Sequence, residues 1–269
     1  MQHYGAALVD AYGVLVDNSG PLAGAAEFIA RLRDSGRQVR LVTNDASRLE
    51  HTIAARLGRF GIEMHADEVV SSGSLLESYF DDHGLSGATT MVLGPPDSLA
   101  YVRRAGGQIA PLATDTRCDV VAVCDEDGYP FLPTVDDVAT AVIAMVEAGA
   151  APRLVLPNPD LLYPKSAGGY GFTSGAAALL IEAAIGRRLP GCTLSFEELG
   201  KPEPALFARA AASVDGATAI AVGDQLETDI ASACRAGLDT VLVTTGVSRW
   251  PKTNNDDGPI PTVVADSLI

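Results

Sequence analysis

Short apolar runs alternate with longer amphipathic segments along most of this chain, and each pattern predicts a kind of element. The apolar runs predict buried strands at residues 6–16, 38–43, 219–222 and 240–243. Apolar residues at helical spacing predict helices at residues 23–35, 47–60, 174–185, 204–212 and 229–236. Strands that alternate with helices in this way are typical of an α/β protein with a parallel sheet.

The middle of the chain repeats the alternation with a different content. Strands are predicted at residues 90–93, 119–124 and 153–156, and helices at 98–105 and 134–148, the latter with Thr134 as its N-cap. The strands that end in acids lie near the two ends of the chain. We therefore expect one domain built from residues 1–80 and 183–269, with residues 81–182 as an inserted domain.

Two of the apolar runs end in a carboxylate. The first run ends at Asp10, and the run 219–222 continues into Gly223 and Asp224, with Asp229 five residues further on. Open α/β sheets place their chemistry at the carboxyl ends of the strands. Two acids at the same edge can hold a hard cation between them.

Composition narrows the function further. The 269 residues carry a formal charge of −15, which argues against non-specific nucleic-acid binding, although a local Mg²⁺ site still permits an anionic substrate. No run approaches the ~20 apolar residues of a membrane span, so we expect a cytoplasmic protein.

The four cysteines lack metal-type spacing and are expected to be buried, reduced thiols, and the four scattered histidines argue against a zinc site. The oligomeric state stays open, and a homo-oligomer is compatible with the sequence.

Four segments in order carry a family resemblance. They are Asp10–Leu15, Leu41–Asn44, Gly200–Pro204 and Gly223–Asp229. The set resembles the haloacid dehalogenase (HAD) superfamily of phosphotransferases, and Asn158-Pro159-Asp160 is similar to a signature of its class IIA, NagD-like branch. The resemblance implies a doubly wound, mainly parallel α/β core with an inserted α/β cap domain.

The resemblance also implies a hydrolase, a phosphatase acting on a small phosphorylated metabolite, and a role for each matching residue. Asp10 would attack phosphorus and form an aspartyl-phosphate. Mg²⁺ would be held by Asp10, Asp224 and the backbone carbonyl of Tyr12. The remaining roles fall to Thr43 and the Asn44 N–H as phosphoryl binders, to Lys201 as a neutralising charge, and to Asp229 as a residue that orients Lys201 or a metal-bound water.

Tyr12 departs from the family pattern. Phosphatases of this superfamily usually carry an aspartate there, which protonates the leaving alkoxide, and help of this kind is worth roughly 10²–10⁴-fold. A tyrosine with an ordinary pKa near ~10 is a poor base at neutral pH, so turnover is expected to be slow. Asp17, Asp45 or the substrate itself could supply the proton.

Tyr12 also leaves other functions open. The superfamily's haloacid dehalogenases share the Asp-x-Tyr-Gly pattern, because their halide leaving group needs no proton. The family pattern implies that those enzymes dispense with the metal, whereas this chain keeps Asp224 and Asp229. We therefore favour Mg²⁺-dependent phosphoryl transfer, with a dehalogenase and a catalytically weak phospholigand-binding protein as alternatives.

Overall fold

The chain folds into two compact units. The computed structural model describes residues 3–165, 169–248, 250–251 and 258–268. The first unit comprises Met1–Thr43, Glu50–Ser71 and Lys201–Ile269, and the second comprises Asn44–Leu49 and Ser72–Gly200. The second unit is thus inserted into the chain of the first.

The first unit is built on a six-stranded sheet in which every neighbouring pair of strands is parallel. From one edge to the other, the strands are Val263–Ala265, Asp239–Val243, Ala219–Gly223, Ala6–Asp10, Gln38–Thr43 and Val69–Ser71. The two central strands are buried on both faces, which explains why their sequences are continuous apolar runs without alternation.

Helices cover both faces of this sheet. Phe28 and Ile29 of helix Ala25–Asp34 and Leu57 of helix Glu50–Gly58 join one apolar cluster with alternate residues of the strands. Helix Ala205–Ala212 contacts the same strands from outside that cluster, and helix Ala231–Arg235 packs beside strand Asp239–Val243. The predicted doubly wound α/β fold is confirmed.

The second unit contains a five-stranded sheet that is also entirely parallel. Its strands, in spatial order, are Phe196–Glu198, Arg153–Leu156, Val120–Val123, Thr89–Leu93 and Gln108–Ala110. Its helices are Leu75–Asp82, Pro96–Arg104, Phe131–Glu147 and Ser174–Arg188. A short antiparallel hairpin, Leu162–Pro164 with Tyr170–Phe172, lies outside this sheet.

The first predicted strand is too long. It ends at Asp10 instead of continuing to residue 16, because the backbone turns at once. The N–H groups of Leu15 and Val16 both donate to the carbonyl of Ala11, and Gly13 adopts a φ of +88° that favours glycine. A small antiparallel pair, Val16–Asp17 with Gly20–Pro21, follows. Asp10 is therefore released at the strand end.

Two predicted helix starts also differ from the structure. Thr134 is not an N-cap, because its helix begins at Phe131 and the Thr134 N–H donates to the carbonyl of Pro130. Pro133 fits within the first turn, where its missing N–H costs no helical hydrogen bond. The helix predicted from Asp229 begins as a π-helical turn, Leu226–Ile230, and becomes an α-helix only at Ala231.

The compact units divide the chain at different places from the predicted domains. Residues 72–80 belong to the second unit, because Tyr79 and Phe80 pack in one apolar cluster with Tyr101 of that unit. Residues 183–200 belong there too, because Ser174–Arg188 is one continuous helix whose Ile185 packs in the second unit's core. The assignment of this unit as a cap stays a prediction.

The cysteine prediction is right for bonding and partly wrong for burial. All four cysteines are free thiols. Cys124 is buried and Cys118 and Cys192 are half-buried, but Cys234 is exposed because it lies on the outer side of the short helix Ala231–Arg235. Within the described ranges, no helix has the length and apolar character to cross a bilayer.

Candidate active site

Three carboxylates and one lysine meet at the carboxyl edge of the first unit's sheet. Asp10 ends strand Ala6–Asp10, and Asp224 directly follows the neighbouring strand Ala219–Gly223. Asp229 lies in the π-helical turn, and Lys201 precedes helix Ala205–Ala212. All four are buried, with exposures of 4% for Asp10, 0% for Asp224, 2% for Asp229 and 4% for Lys201. The structure thus brings together acids that are more than 200 residues apart in sequence.

Lys201 holds two of these acids by direct ion pairs. Its Nζ donates to Asp10 Oδ1 at 2.6 Å and to Asp229 Oδ1 at 2.6 Å. The other oxygen of Asp229 accepts the backbone N–H groups of Asp224 and Gln225, both at 3.1 Å. Asp229 is therefore fixed by the backbone on one side and fixes the ammonium on the other.

Thr43 lies at the same edge of the sheet. It is the buried last residue of strand Gln38–Thr43, which pairs with strand Ala6–Asp10 so that Asp10 lies opposite Val42. Tyr12 is half-buried, forms a backbone bridge with Val16, and packs its ring against the apolar cluster of the first unit.

Asn44, the residue after Thr43, belongs to the second unit. Its side-chain Nδ2 donates to Asp160 Oδ1 at 3.3 Å, and its carbonyl accepts the hydroxyl of Ser72 at 2.7 Å. Asp160 is the last residue of the Asn-Pro-Asp segment, so that segment contacts the second of the four motifs directly.

The two alternative proton donors, Asp17 and Asp45, both accept hydrogen bonds. Asp17 Oδ1 accepts the N–H groups of Ser19 and Gly20 in the small hairpin turn. Asp45 accepts the N–H of Ser47 and pairs with Arg48 at 2.9 Å. Their role as acid or base stays a prediction.

Burial dominates the electrostatics of this cluster. Burial, opposed in part by Lys201, raises the pKa of Asp10 to about 7. Burial together with Asp229 and Asp10 raises the pKa of Asp224 to about 8. Burial alone would lower the pKa of Lys201, but the charges of Asp10 and Asp229 outweigh it and raise that pKa. With all four groups ionised, the three carboxylates and one ammonium carry a net charge of −2, which a divalent cation would neutralise.

The cluster fits a small hard cation. One carboxylate oxygen from each of Asp10, Asp224 and Asp229 lies within 4.8 Å of the others. Oxygens that share a Mg²⁺ at about 2.1 Å lie roughly 3–4 Å apart, so small adjustments bring Asp10 and Asp224 onto one ion, whereas both oxygens of Asp229 already accept hydrogen bonds. Asp224 Oδ1 is buried and has no hydrogen-bond partner in the described part of the chain. A buried acceptor of this kind is costly unless something binds it.

One part of the site has no counterpart among the residues predicted from the sequence. The segment 244–248, Thr-Thr-Gly-Val-Ser, follows strand Asp239–Val243 and contacts Asp224 mainly through backbone N–H groups. A signal for it existed, because it is another apolar run that ends in polar residues and glycine.

Family models match both ends of the chain. Residues 7–108 match the model of the haloacid dehalogenase-like hydrolases. Residues 198–269 match a second model, described as HAD-hydrolase-like. The matched stretches contain Asp10, Thr43, Lys201, Asp224 and Asp229.

Individual proteins resemble the chain over nearly its full length. It is 31% identical over 250 residues to the acid sugar phosphatase of Staphylococcus saprophyticus, covering 92% of this chain and 89% of that relative. The glycerol phosphate phosphatase of Mycobacterium tuberculosis, solved in complex with magnesium, is 26% identical with a TM-score of 0.82, covering 99% of this chain and 76% of that one. NagD from E. coli K-12 is 25% identical with a TM-score of 0.79, covering 98% and 97%.

Proposed function

The chain belongs to the haloacid dehalogenase-like hydrolases as a phosphatase of their NagD-like branch, and we propose that it is a Mg²⁺-dependent phosphohydrolase that works through an aspartyl-phosphate on Asp10. The observation that carries this proposal is the buried cluster in which Lys201 lies 2.6 Å from both Asp10 and Asp229, with Asp224 beside them. Buried charges at this density are expensive for stability, and such clusters are concentrated at functional sites.

Asp10 is the nucleophile in this proposal. One oxygen of its carboxylate attacks phosphorus, and the bond from phosphorus to the leaving alkoxide breaks, while the alkoxide takes a proton from Asp17, Asp45 or another group of the substrate. Water then attacks phosphorus of the aspartyl-phosphate, which releases inorganic phosphate and restores the carboxylate. Lys201 holds Asp10 in place through Oδ1 and offers positive charge to the phosphoryl oxygens.

The residues that would hold Mg²⁺ are Asp10, Asp224 and the backbone carbonyl of Tyr12. When bound, the ion supplies positive charge that neutralises the phosphoryl oxygens and orients the group for in-line attack. Asp229 keeps Lys201 beside Asp10 and accepts the Asp224 N–H, so it positions two members of the site at once. Thr43 and the Asn44 N–H complete the proposal as binders of the phosphoryl oxygens.

Tyr12 makes this phosphatase a slow one in our proposal. The residue two positions after the nucleophile cannot act as an acidic carboxyl group, and its ring packs against the apolar core instead. Departure of a poor leaving group then lacks the contribution of roughly 10²–10⁴-fold that a positioned acid provides.

We propose a small phosphorylated sugar or polyol as the substrate. The names of two similar proteins, an acid sugar phosphatase and a glycerol phosphate phosphatase, support that class. Closure of the second unit as a cap would exclude water and select the substrate. The cytoplasmic location and a homo-oligomeric state stay predictions.

Phosphate release from a panel of sugar and polyol phosphates, with Mg²⁺ and with EDTA, tests the proposal. We expect metal-dependent release that falls by at least about 10⁴-fold in Asp10→Asn. Asp34→Asn, the same change at an exposed residue of the first unit, is the matched control and keeps wild-type activity.

Two results would contradict the proposal. One is ester hydrolysis that persists in Asp10→Asn. The other is metal-independent chloride release from a 2-haloacid without any phosphate release, which would assign the site to the dehalogenases that share the Asp-x-Tyr-Gly pattern.

A further inference from the structure

The segment 244–248 emerges beside Asp224, and we call it the 244–248 loop. It follows strand Asp239–Val243, which pairs in parallel with strand Ala219–Gly223 so that Leu242 lies opposite Gly223. Two neighbouring strands therefore deliver Asp224 and this loop to the same edge of the sheet.

The loop binds Asp224 through its backbone. The Val247 N–H donates to Asp224 Oδ2 at 2.7 Å, and the Ser248 N–H donates to the Asp224 carbonyl at 3.2 Å. The buried Ser248 hydroxyl accepts the N–H of Leu226 at 2.9 Å, which ties the loop to the start of the π-helical turn. The carboxylate, the main chain and the following turn are thus all held by one short segment.

Glycine at position 246 is a steric requirement of this contact. A Cβ built there would overlap the Asp224 carboxylate, so even alanine forces the carboxylate or the loop to move. A Cβ at Gly13 would overlap the same carboxylate, and the carbonyl of Gly13 accepts the Thr245 hydroxyl at 3.1 Å. The loop therefore also contacts the segment that carries the Tyr12 carbonyl.

The loop leaves the two oxygens of the Asp224 carboxylate in different surroundings. Oδ2 of Asp224 is occupied by the loop, whereas Oδ1 is buried and has no hydrogen-bond partner in the described residues. We propose that the 244–248 loop is a positioning element that sets the affinity for the divalent cation by fixing the Asp224 carboxylate with Oδ1 left for the ion. This inference rests on the proposed function, because it takes Asp224 as a ligand of that ion.

Calorimetric titration of the metal-free protein with Mg²⁺ alone, without substrate, tests the inference. We expect Gly246→Ala to weaken Mg²⁺ binding by about 10- to 100-fold, the usual cost of disturbing groups that orient a ligand. Gly58→Ala is the matched control, because a Cβ at Gly58 of the first unit meets open space, and it binds as the wild type does.

A second pair of variants tests the inference even if Gly246→Ala does not fold. Thr245→Val removes the hydroxyl that donates to Gly13, and Thr245→Ser keeps it. We expect the valine variant to bind Mg²⁺ about two- to ten-fold more weakly and the serine variant to restore the affinity, with the same melting temperature for all three proteins in EDTA.

The outcomes separate this inference from the proposed function. Wild-type affinity in Gly246→Ala and in Thr245→Val would overturn the positioning role of the loop while leaving the phosphatase intact. A wild-type protein that binds no Mg²⁺ would instead contradict the metal site on which the proposed function depends.

Discussion

The molecule contains two entirely parallel sheets, and acids follow a strand in both, but the two sets of acids are held differently. In the first unit, Asp10 and Asp224 are buried and share their surroundings with the ammonium of Lys201. In the second unit, Asp125 and Asp127 follow strand Val120–Val123 but remain half-buried or exposed.

The acids after the strand of the second unit stabilise a turn. Asp125 Oδ1 accepts the N–H of Asp127 at 2.9 Å, which closes a turn of the kind that aspartate commonly forms. A parallel sheet therefore provides an edge where a site can form, but the edge alone does not make a reactive site. The chemistry arises where packing buries several carboxylates around one cation.

Removing the ammonium of Lys201 should have the largest effect on the difference between the two sets of acids. Lys201→Met leaves three buried carboxylates without their counter-charge, and we expect a loss of about 3–5 kcal/mol in the free energy of unfolding together with a loss of activity. Lys165→Met, the same change at an exposed lysine of the second unit, should stay within about 0.5 kcal/mol of the wild type. Urea unfolding followed by circular dichroism measures both. Equal stability of the two variants would show that the buried pairs contribute nothing particular.

Adding a carboxylate at the first edge sharpens the contrast in the other direction. Tyr12→Asp supplies the acid that the leaving group lacks, so we expect ester hydrolysis to rise by about 10- to 100-fold. Tyr12→Asn has nearly the same shape but no ionisable proton, and it should give no such gain. Initial rates of phosphate release compare the three proteins, and a rise in the asparagine variant equal to that of the aspartate variant would refute the missing-acid explanation.

One acid of the second unit, Glu126, is expected to respond weakly to removal of its charge, and more strongly at high pH than at low pH. Burial, with Asp125, raises the pKa of Glu126 to about 7, above the ordinary value of about 4.3. The stability that this group contributes is complete below about pH 4 and is lost as the pH rises through about 7. Glu126→Gln should therefore gain about 1–3 °C in Tm over the wild type at about pH 8 and less at about pH 5.

The control for this small effect is Glu27→Gln, at an exposed glutamate of the first unit. It should show the same difference from wild type at both pH values. A gain for Glu126→Gln that is larger at the lower pH than at the higher one would contradict a pKa raised by burial.

Much of the fold and two of the four buried charged residues of the site were predictable from local signals, whereas Lys201 and Asp229 followed only from the resemblance of the four ordered motifs. Asp10 and Asp224 each end a continuous apolar run, which marks a buried strand at its carboxyl end. The strand end at Asp10 was missed, because apolar residues continue through the turn that Gly13 permits. The start of the helix at Phe131 was missed because Pro133 stands inside its first turn.

Other parts of the site depend on contacts that no local pattern encodes. The 244–248 loop acts through N–H groups, which every residue but proline carries, so the apolar run before it marks the sheet edge but its side chains do not reveal the contact with Asp224. The membership of Asn44 in the second unit depends on Ser72 and Asp160, which are distant in sequence. The three-residue strands of the hairpin Leu162–Pro164 with Tyr170–Phe172 are too short for a periodic signal.

The most direct test of the central claim is a crystal structure of the wild-type protein grown with Mg²⁺ and beryllium trifluoride, a mimic of a phosphoryl group bound to a carboxylate. We expect the beryllium on an Asp10 oxygen and one metal ion bound by both Asp10 and Asp224. A mimic bound away from Asp10, or a metal ion that contacts only one of these two acids, would contradict it.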